Sequence, residues 1–164
     1  MPQTPTLRHK GSKEFLQSYK FSEEHFIQRF DFSCWAAGLS CLLNDAITQA
    51  DIAGYYPKES RQEGVTPKQL QDLIEFLNKR LERSGSTQTL KMTGDYPEPS
   101  QLVNSGIFPF MAWCRNSHGN DSHVYIAQKF DDGNQSFTLW DPYTNNHYEC
   151  KKDLFLPMFA VLLV

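Results

Sequence analysis

The chain has 164 residues, 40% of them hydrophobic and 13% aromatic, which is enough apolar material for one sizeable core. We therefore expect a single domain over residues 13–164, preceded by a flexible, Pro/Thr-rich arm over residues 1–12. The formal charge is only -3 at pH 7, and basic residues do not cluster with aromatic ones, so nucleic acid is not an expected partner.

No apolar leader occupies the first twelve residues, and no apolar run reaches the length of about 18 residues that crosses a membrane. We expect a soluble protein that is cytoplasmic or delivered by a dedicated secretion system. The four cysteines are too scattered for a disulfide framework, which favours a reducing compartment. Neither cysteines nor histidines follow zinc-binding spacing, so neither a metal nor another cofactor is expected.

The first half of the chain predicts helices. Residues 13–29 favour a short helix and an extended lead-in, and apolar residues at helical spacing over 35–46 predict a helix buried on most sides. A short helical turn at 50–57 and a polar loop at 58–64 follow. Thr66, Pro67 and Gln69 then form a strong start signal for a helix, with Leu and Ile on one face.

The second half of the chain predicts strands. Residues 87–93 favour a strand, a short helix follows around 101–103, and the apolar run 107–114 predicts a buried strand. Residues 124–130 and 136–140 flank a turn sequence and predict a hairpin. A last strand covers 158–164. Helices followed by antiparallel strands indicate an α+β fold, with the central helix packed on a C-terminal sheet.

Cys34 stands at the start of the predicted central helix. The unpaired N–H groups and the positive end of the dipole at a helix N-terminus favour a thiolate, which is the nucleophilic form. Gln28, six residues upstream, is a candidate second donor of an oxyanion hole beside the Cys34 N–H. The alternative is a core cysteine beside a core tryptophan, as we expect for Cys41 one layer deeper.

These residues resemble the motif of the papain-like cysteine peptidases, in which a Gln lies six residues before a Cys-Trp that opens the central helix. Cys34-Trp35-Ala36-Ala37 is most similar to the compact bacterial branch, which includes the bacteriocin-processing (double-glycine leader) peptidases and effector proteases. The resemblance implies a papain-like fold, a catalytic His at the start of a later strand, and an Asp or Asn one hairpin further on.

Both implied partners are present. His123 opens the first hairpin strand and Asp141 ends the second, so pairing of the strands brings the two ends together. The alternatives are a surface histidine and a common Asp-Pro turn. His118 is a rival base within a polar loop, and Asp121 lies in the same loop. Three further residues are possible cleft-lining positions: Trp35, Ser122 and Trp140.

The predicted function is that of a cysteine peptidase acting on a peptide or protein through Cys34, His123 and Asp141, with an acyl-enzyme intermediate. A glutamine deamidase, a transglutaminase or a transpeptidase would use the same residues, and an inactive papain-like binding module is the non-enzymatic alternative. Leader peptidases are usually fused to a transporter, for which this chain has no room, so we expect a free-standing protease, for example a bacterial effector or toxin. The oligomeric state is left open.

Overall fold

The computed structural model describes residues 8–9, 26–30, 33–115 and 122–164. The described helices are α1 (Cys34–Leu42), α2 (Gln49–Ala53), α3 (Pro67–Arg83) and α4 (Pro99–Ser105). The described strands are β1 (Arg8–His9), β2 (Leu90–Met92), β3 (Phe110–Arg115), β4 (Ser122–Asp131), β5 (Ser136–Asp141), β6 (Asn146–Lys151) and β7 (Phe159–Leu163).

These strands form one antiparallel sheet in the order β1-β6-β5-β4-β3-β7-β2. One face of the sheet packs against α1 and α3, and this contact contains the larger hydrophobic core. A smaller aromatic cluster covers the opposite face. The expected α+β fold, with a central helix packed on a C-terminal sheet, is confirmed.

Helix α1 approaches the sheet closely because of Gly38. A Cβ atom at this position would lie 2.6 Å from Met111 Sδ and 3.0 Å from Val124 Cγ1. Every residue of α1 is buried, and α1 contacts both β3 and β4. The absence of a side chain at Gly38 therefore determines how closely the N-terminal end of α1 lies to the strand that carries His123.

Several predicted elements are confirmed. Helix α3 begins with a reciprocal capping box, in which Thr66 Oγ1 accepts from Gln69 N at 3.1 Å and Gln69 Oε1 accepts from Thr66 N at 2.8 Å. The predicted hairpin is β4 and β5, and its turn is held by Asp131, whose Oδ1 accepts from Gly133 N at 2.9 Å. The short helix α4 and the final strand β7 also lie where the pattern places them.

Two local expectations are wrong. The segment expected to be a polar loop contains a π-helical turn at Glu59–Glu63. Strand β2 is shorter than predicted. In addition, β6 was not predicted, because its polar sequence becomes a strand only through pairing with β5. Arg8–His9 pairs with β6, and the flexible arm over residues 1–12 stays a prediction. The helix expected in residues 13–29 lies mostly outside the described residues.

An extra residue on β4 determines which side chains share a face. Gln128 forms a β-bulge, where the register between β4 and β5 shifts by one residue. Continuing that register past the bulge places Asp141 opposite Tyr125, and the side chain of His123, two residues from Tyr125, points to the same face. Without the bulge Asp141 would fall opposite the neighbouring Ile126, whose side chain points to the other face.

Candidate active site

Cys34 is the first residue of α1, and its surroundings leave the helix N-terminus available to the sulfur. The hydroxyl of Ser33 bonds the backbone of Phe30, at 3.0 Å to both N and O, instead of capping the helix. The first turn of α1 contains no acidic residue. Cys34 retains 9% exposure, whereas the next three residues of α1 are at most 1% exposed. The dipole of α1 therefore acts on a sulfur at the edge of the core.

His123 joins Cys34 to Asp141. His123 Nε2 lies 2.6 Å from Asp141 Oδ1, and the imidazole also forms a hydrogen bond with the Cys34 side chain. Because Nε2 is bonded to the carboxylate, Nδ1 is the nitrogen that remains for the sulfur. His123 lies opposite Cys114 on β3, and its ring packs edge-to-face on Tyr125 at a centroid distance of 5.0 Å. The bond to Asp141 and the contact with Tyr125 therefore both orient the imidazole.

Asp141 is held by the turn that follows it. Its Oδ1 accepts from Tyr143 N at 2.8 Å, and its Oδ2 accepts from Thr144 Oγ1 at 3.1 Å. Trp140 Nε1 donates to Asn145 Oδ1 at 3.0 Å and fastens the same turn. With a side chain only 9% exposed, the carboxylate has a fixed direction toward His123.

The interactions within the site shift the pKa values of His123 and Asp141 in opposite directions. Burial by itself lowers the pKa of His123, but hydrogen bonds and charge interactions with Asp141 and Cys34 outweigh burial and raise the pKa to about 10. For Asp141, burial opposes ionisation, but the bond to His123 and the turn donors lower the pKa below its ordinary value. At neutral pH the imidazole is therefore protonated, and both of its N–H groups can donate.

Gln28 lies beside this group. Its backbone N–H donates to Pro142 O at 3.0 Å, directly after Asp141, and its Nε2 donates to Phe30 O at 2.8 Å. A side-chain amide N–H is the kind of donor that an oxyanion hole uses. The structure thus brings Gln28 to the hairpin end that carries Asp141, in the segment that leads into α1.

Gln49 is a residue that the sequence analysis missed. It is 4% exposed, and its side-chain amide bonds the backbone on both sides of Gln28: Oε1 accepts from Arg29 N at 2.8 Å and Nε2 donates to Ile27 O at 3.0 Å. These bonds span 20 and 22 residues of sequence, so no local pattern could have revealed them. Thr144 was also missed, although the Asp-Pro pair just before it is a turn signal.

Two of the residues expected to line the cleft are buried. Trp35 is 1% exposed and Trp140 is 0% exposed, and both belong to the core between α1 and the sheet. Large aromatic rings next to the catalytic positions fill the interior beneath the site, so they offer no surface to a substrate. Cys41 is core packing, as expected. The side chain of Ser122 and the rival residues His118 and Asp121 lie outside the described residues.

Within the described residues, no helix is both long and apolar enough to cross a membrane. No cluster of three ligand-type side chains that could hold a metal ion occurs in that part of the chain. The expected location and the expected delivery route stay predictions.

Comparison of the sequence with family models and with curated proteins gave no match. Among solved structures, the chain is similar to the peptidase domain of Streptococcus ComA, a bifunctional ABC transporter of a quorum-sensing pathway. The TM-score is 0.57 at 13% identity, over 81% of this chain and 91% of that domain. It is also similar to the N-terminal peptidase C39-like domain of a toxin secretion ATP-binding protein from Vibrio parahaemolyticus, with a TM-score of 0.49 at 14% identity, over 78% and 90%.

The chain therefore shares the fold of the ComA peptidase domain, which confirms the expected papain-like fold. In this fold the N-terminus of one buried helix meets the open end of a hairpin, and here those two places carry Cys34 and the pair His123 and Asp141.

Proposed function

We propose that this protein is a cysteine peptidase that cleaves a peptide or protein substrate through Cys34, His123 and Asp141. The observation that carries the proposal is the arrangement of His123, which bonds Asp141 through Nε2 at 2.6 Å and bonds the Cys34 side chain as well. A nucleophile, a base and an orienting carboxylate in this order are what acyl transfer requires.

In the first step the Cys34 thiolate attacks the carbonyl carbon of the scissile bond, and a C–S bond forms. The negative charge moves to the carbonyl oxygen, where the N–H of Cys34 and the amide of Gln28 would stabilise it. His123 then gives a proton to the leaving nitrogen, the C–N bond breaks, and a thioester remains. Water attacks this thioester while His123 takes its proton. The C–S bond then breaks, the sulfur of Cys34 is released, and the acid product leaves.

The test uses a proteome incubated with the wild type, with Cys34→Ala and with His123→Ala. We expect new peptide termini with the wild type only, and none with either variant, while circular dichroism shows the same fold in all three. Cys41→Ala, in the core on the same helix, is the matched control and should stay active. Full activity of Cys34→Ala would overturn the proposal, and Gln deamidation without new termini would favour the deamidase alternative.

A second readout separates an enzyme from an inactive binding module. Iodoacetamide at neutral pH should label Cys34 rapidly, because its sulfur contacts a protonated imidazole. The other three cysteines are at most 1% exposed, and burial raises the pKa of the Cys150 thiol to about 12. Equal and slow labelling of all four cysteines would favour the binding module.

A further inference from the structure

A cavity of about 270 Å³ lies beside the segment that carries Gln28. We call it the Arg61 pocket. The lining residues that matter here are Arg29, Phe30, Gln49, Ala53, Ser60 and Arg61. Its volume is near the lower limit for small-molecule sites, which suits one or two side chains better than a whole cofactor. Because Arg29 and Phe30 follow Gln28 directly, a ligand here would lie next to the candidate oxyanion donor.

Hydrogen bonds hold the walls of the pocket. Gln49 uses both amide atoms on the backbone around Gln28. Ser60 is 1% exposed, and its hydroxyl hydrogen is shared between two carbonyl oxygens, Tyr56 O at 3.0 Å and Ala53 O at 3.3 Å. Ser60 lies in the π-helical turn Glu59–Glu63, a rare geometry that is frequent at functional sites. The pocket therefore has a defined shape before any ligand arrives.

The pocket combines an apolar lining with a positive rim. Arg61 lies over the ring of Phe30, with its Cζ 4.7 Å from the centroid, and Arg29 is exposed beside it. Within the described residues, neither Arg61 nor Arg29 forms an ion pair with a carboxylate. Two carboxylates adjoin lining residues in sequence. Asp51 forms an ion pair with Arg80 at 2.9 Å, whereas Glu59 accepts from the neutral Gln69 amide at 3.4 Å and keeps its charge. This positive rim contrasts with the formal charge of -3 of the whole chain.

We infer that the Arg61 pocket is a substrate subsite that takes an apolar side chain flanked by an acidic residue. The inference rests on the proposed peptidase function, because it places substrate next to Gln28. The apolar side chain fills the lining beside Phe30 and Ala53, and the acidic residue meets the guanidinium groups of Arg61 and Arg29. Arg61 is therefore the residue that we expect to determine specificity.

The test measures binding without turnover. The Cys34→Ala chain is titrated into three short dye-labelled peptides: one with a leucine–aspartate pair, one with lysine in place of the aspartate, and one with alanine in place of the leucine. Fluorescence anisotropy should show the leucine–aspartate peptide binding at least about fivefold more tightly than either of the others, the range of one charge contact or a small apolar contact.

Reversing the charge of Arg61 tests whether this residue causes the preference for aspartate. Arg61→Glu should invert the order of the aspartate and lysine peptides, whereas Arg83→Glu, an identical change at an exposed position of α3 outside the pocket lining, should leave the order unchanged. No preference among the peptides, or the same shift in both variants, would overturn the subsite. The outcomes for the subsite and for the proposed function can be told apart. If the wild type cleaves no peptide but binding still depends on Arg61, the proposed function is rejected and the subsite is kept.

Discussion

At the scale of single residues, Asp141 is expected to act through His123. Removing its charge should lower the pKa of His123, because the bond to Asp141 is a main contribution that raises it. We expect Asp141→Asn, which keeps a hydrogen-bond acceptor for His123, to lose about tenfold in kcat/KM. Asp141→Ala should lose about a hundredfold, the lower end of the roughly 10²–10⁴ that general acid–base catalysis contributes. Asp131→Asn, in the turn of the same hairpin, is the control, and a larger defect there would reject the assignment.

Gln28 and Gln49 can be tested together at the same scale. Gln28→Ala should lower kcat by two to three powers of ten, the typical value (about 10²–10³) of one oxyanion donor. Gln49→Ala should lower kcat with little change in KM, since it releases the backbone on both sides of Gln28. Gln49→Glu keeps the acceptor for Arg29 N and should be intermediate.

The double variant Gln28→Ala/Gln49→Ala decides whether Gln49 works through Gln28. We expect its kcat to equal that of Gln28→Ala alone, because a positioning residue has no further effect once the positioned group is gone. Multiplicative losses in the double variant would show that Gln49 stabilises the protein or the site by another route. Urea denaturation of each variant separates lost stability from lost activity.

At the scale of elements, the contact of α1 with the sheet depends on Gly38. Gly38→Ala should lower the free energy of unfolding by about 1–3 kcal/mol, the usual cost of an extra carbon in a packed core. The new Cβ would lie 2.6 Å from Met111 Sδ. Urea denaturation measures the loss. Gly94→Ala is the control, because no atom lies within 4 Å of its added Cβ, and an equal loss there would contradict this explanation.

At the scale of the whole molecule, stability should depend on pH through the pair of His123 and Asp141. The folded pKa of His123, about 10, lies above its ordinary value of 6.5. The stabilisation of the fold by protonated His123 is therefore complete below pH 6.5 and is lost as pH rises through about 10. The folded pKa of Asp141 is lowered, so its contribution is complete above 3.8 and is lost as pH falls below that value.

Melting temperatures of the wild type and of His123→Ala, measured over a range of pH, test this dependence. The difference between the two should be widest from about pH 4 to 6.5 and should narrow toward pH 10. Cys41→Ala should instead remain parallel to the wild type throughout. A difference that is constant with pH would mean that His123 contributes through packing alone.

The sequence by itself determined the features that depend on neighbours a few residues apart. The capping box of α3 connects Thr66 with Gln69, and the turn of the hairpin is held within a few residues by Asp131. The apolar spacing around Cys34 placed it at the start of a buried helix. Local hydrogen bonds and side-chain periodicity are sufficient for these features, so the α+β order could be predicted. His123 and Asp141 were candidates because the resemblance of the Cys34-Trp35 motif to papain-like peptidases implies a His and an Asp or Asn further along the chain.

Only the tertiary structure decided the features that depend on distant partners. Strand β6 forms because its backbone N–H and C=O groups pair with those of β5. Gln49 bonds the backbone around Gln28 across 20 and 22 positions of sequence. The bulge at Gln128 puts Asp141 and His123 on one face of the sheet. Counting residues outward from the turn assumes a regular ladder, so it could not reveal the bulge. Trp35 and Trp140 became core because the helix and the sheet enclose them. Pairing, register and burial arise only when the chain folds back on itself, so their physical cause lies in contacts that no local pattern encodes.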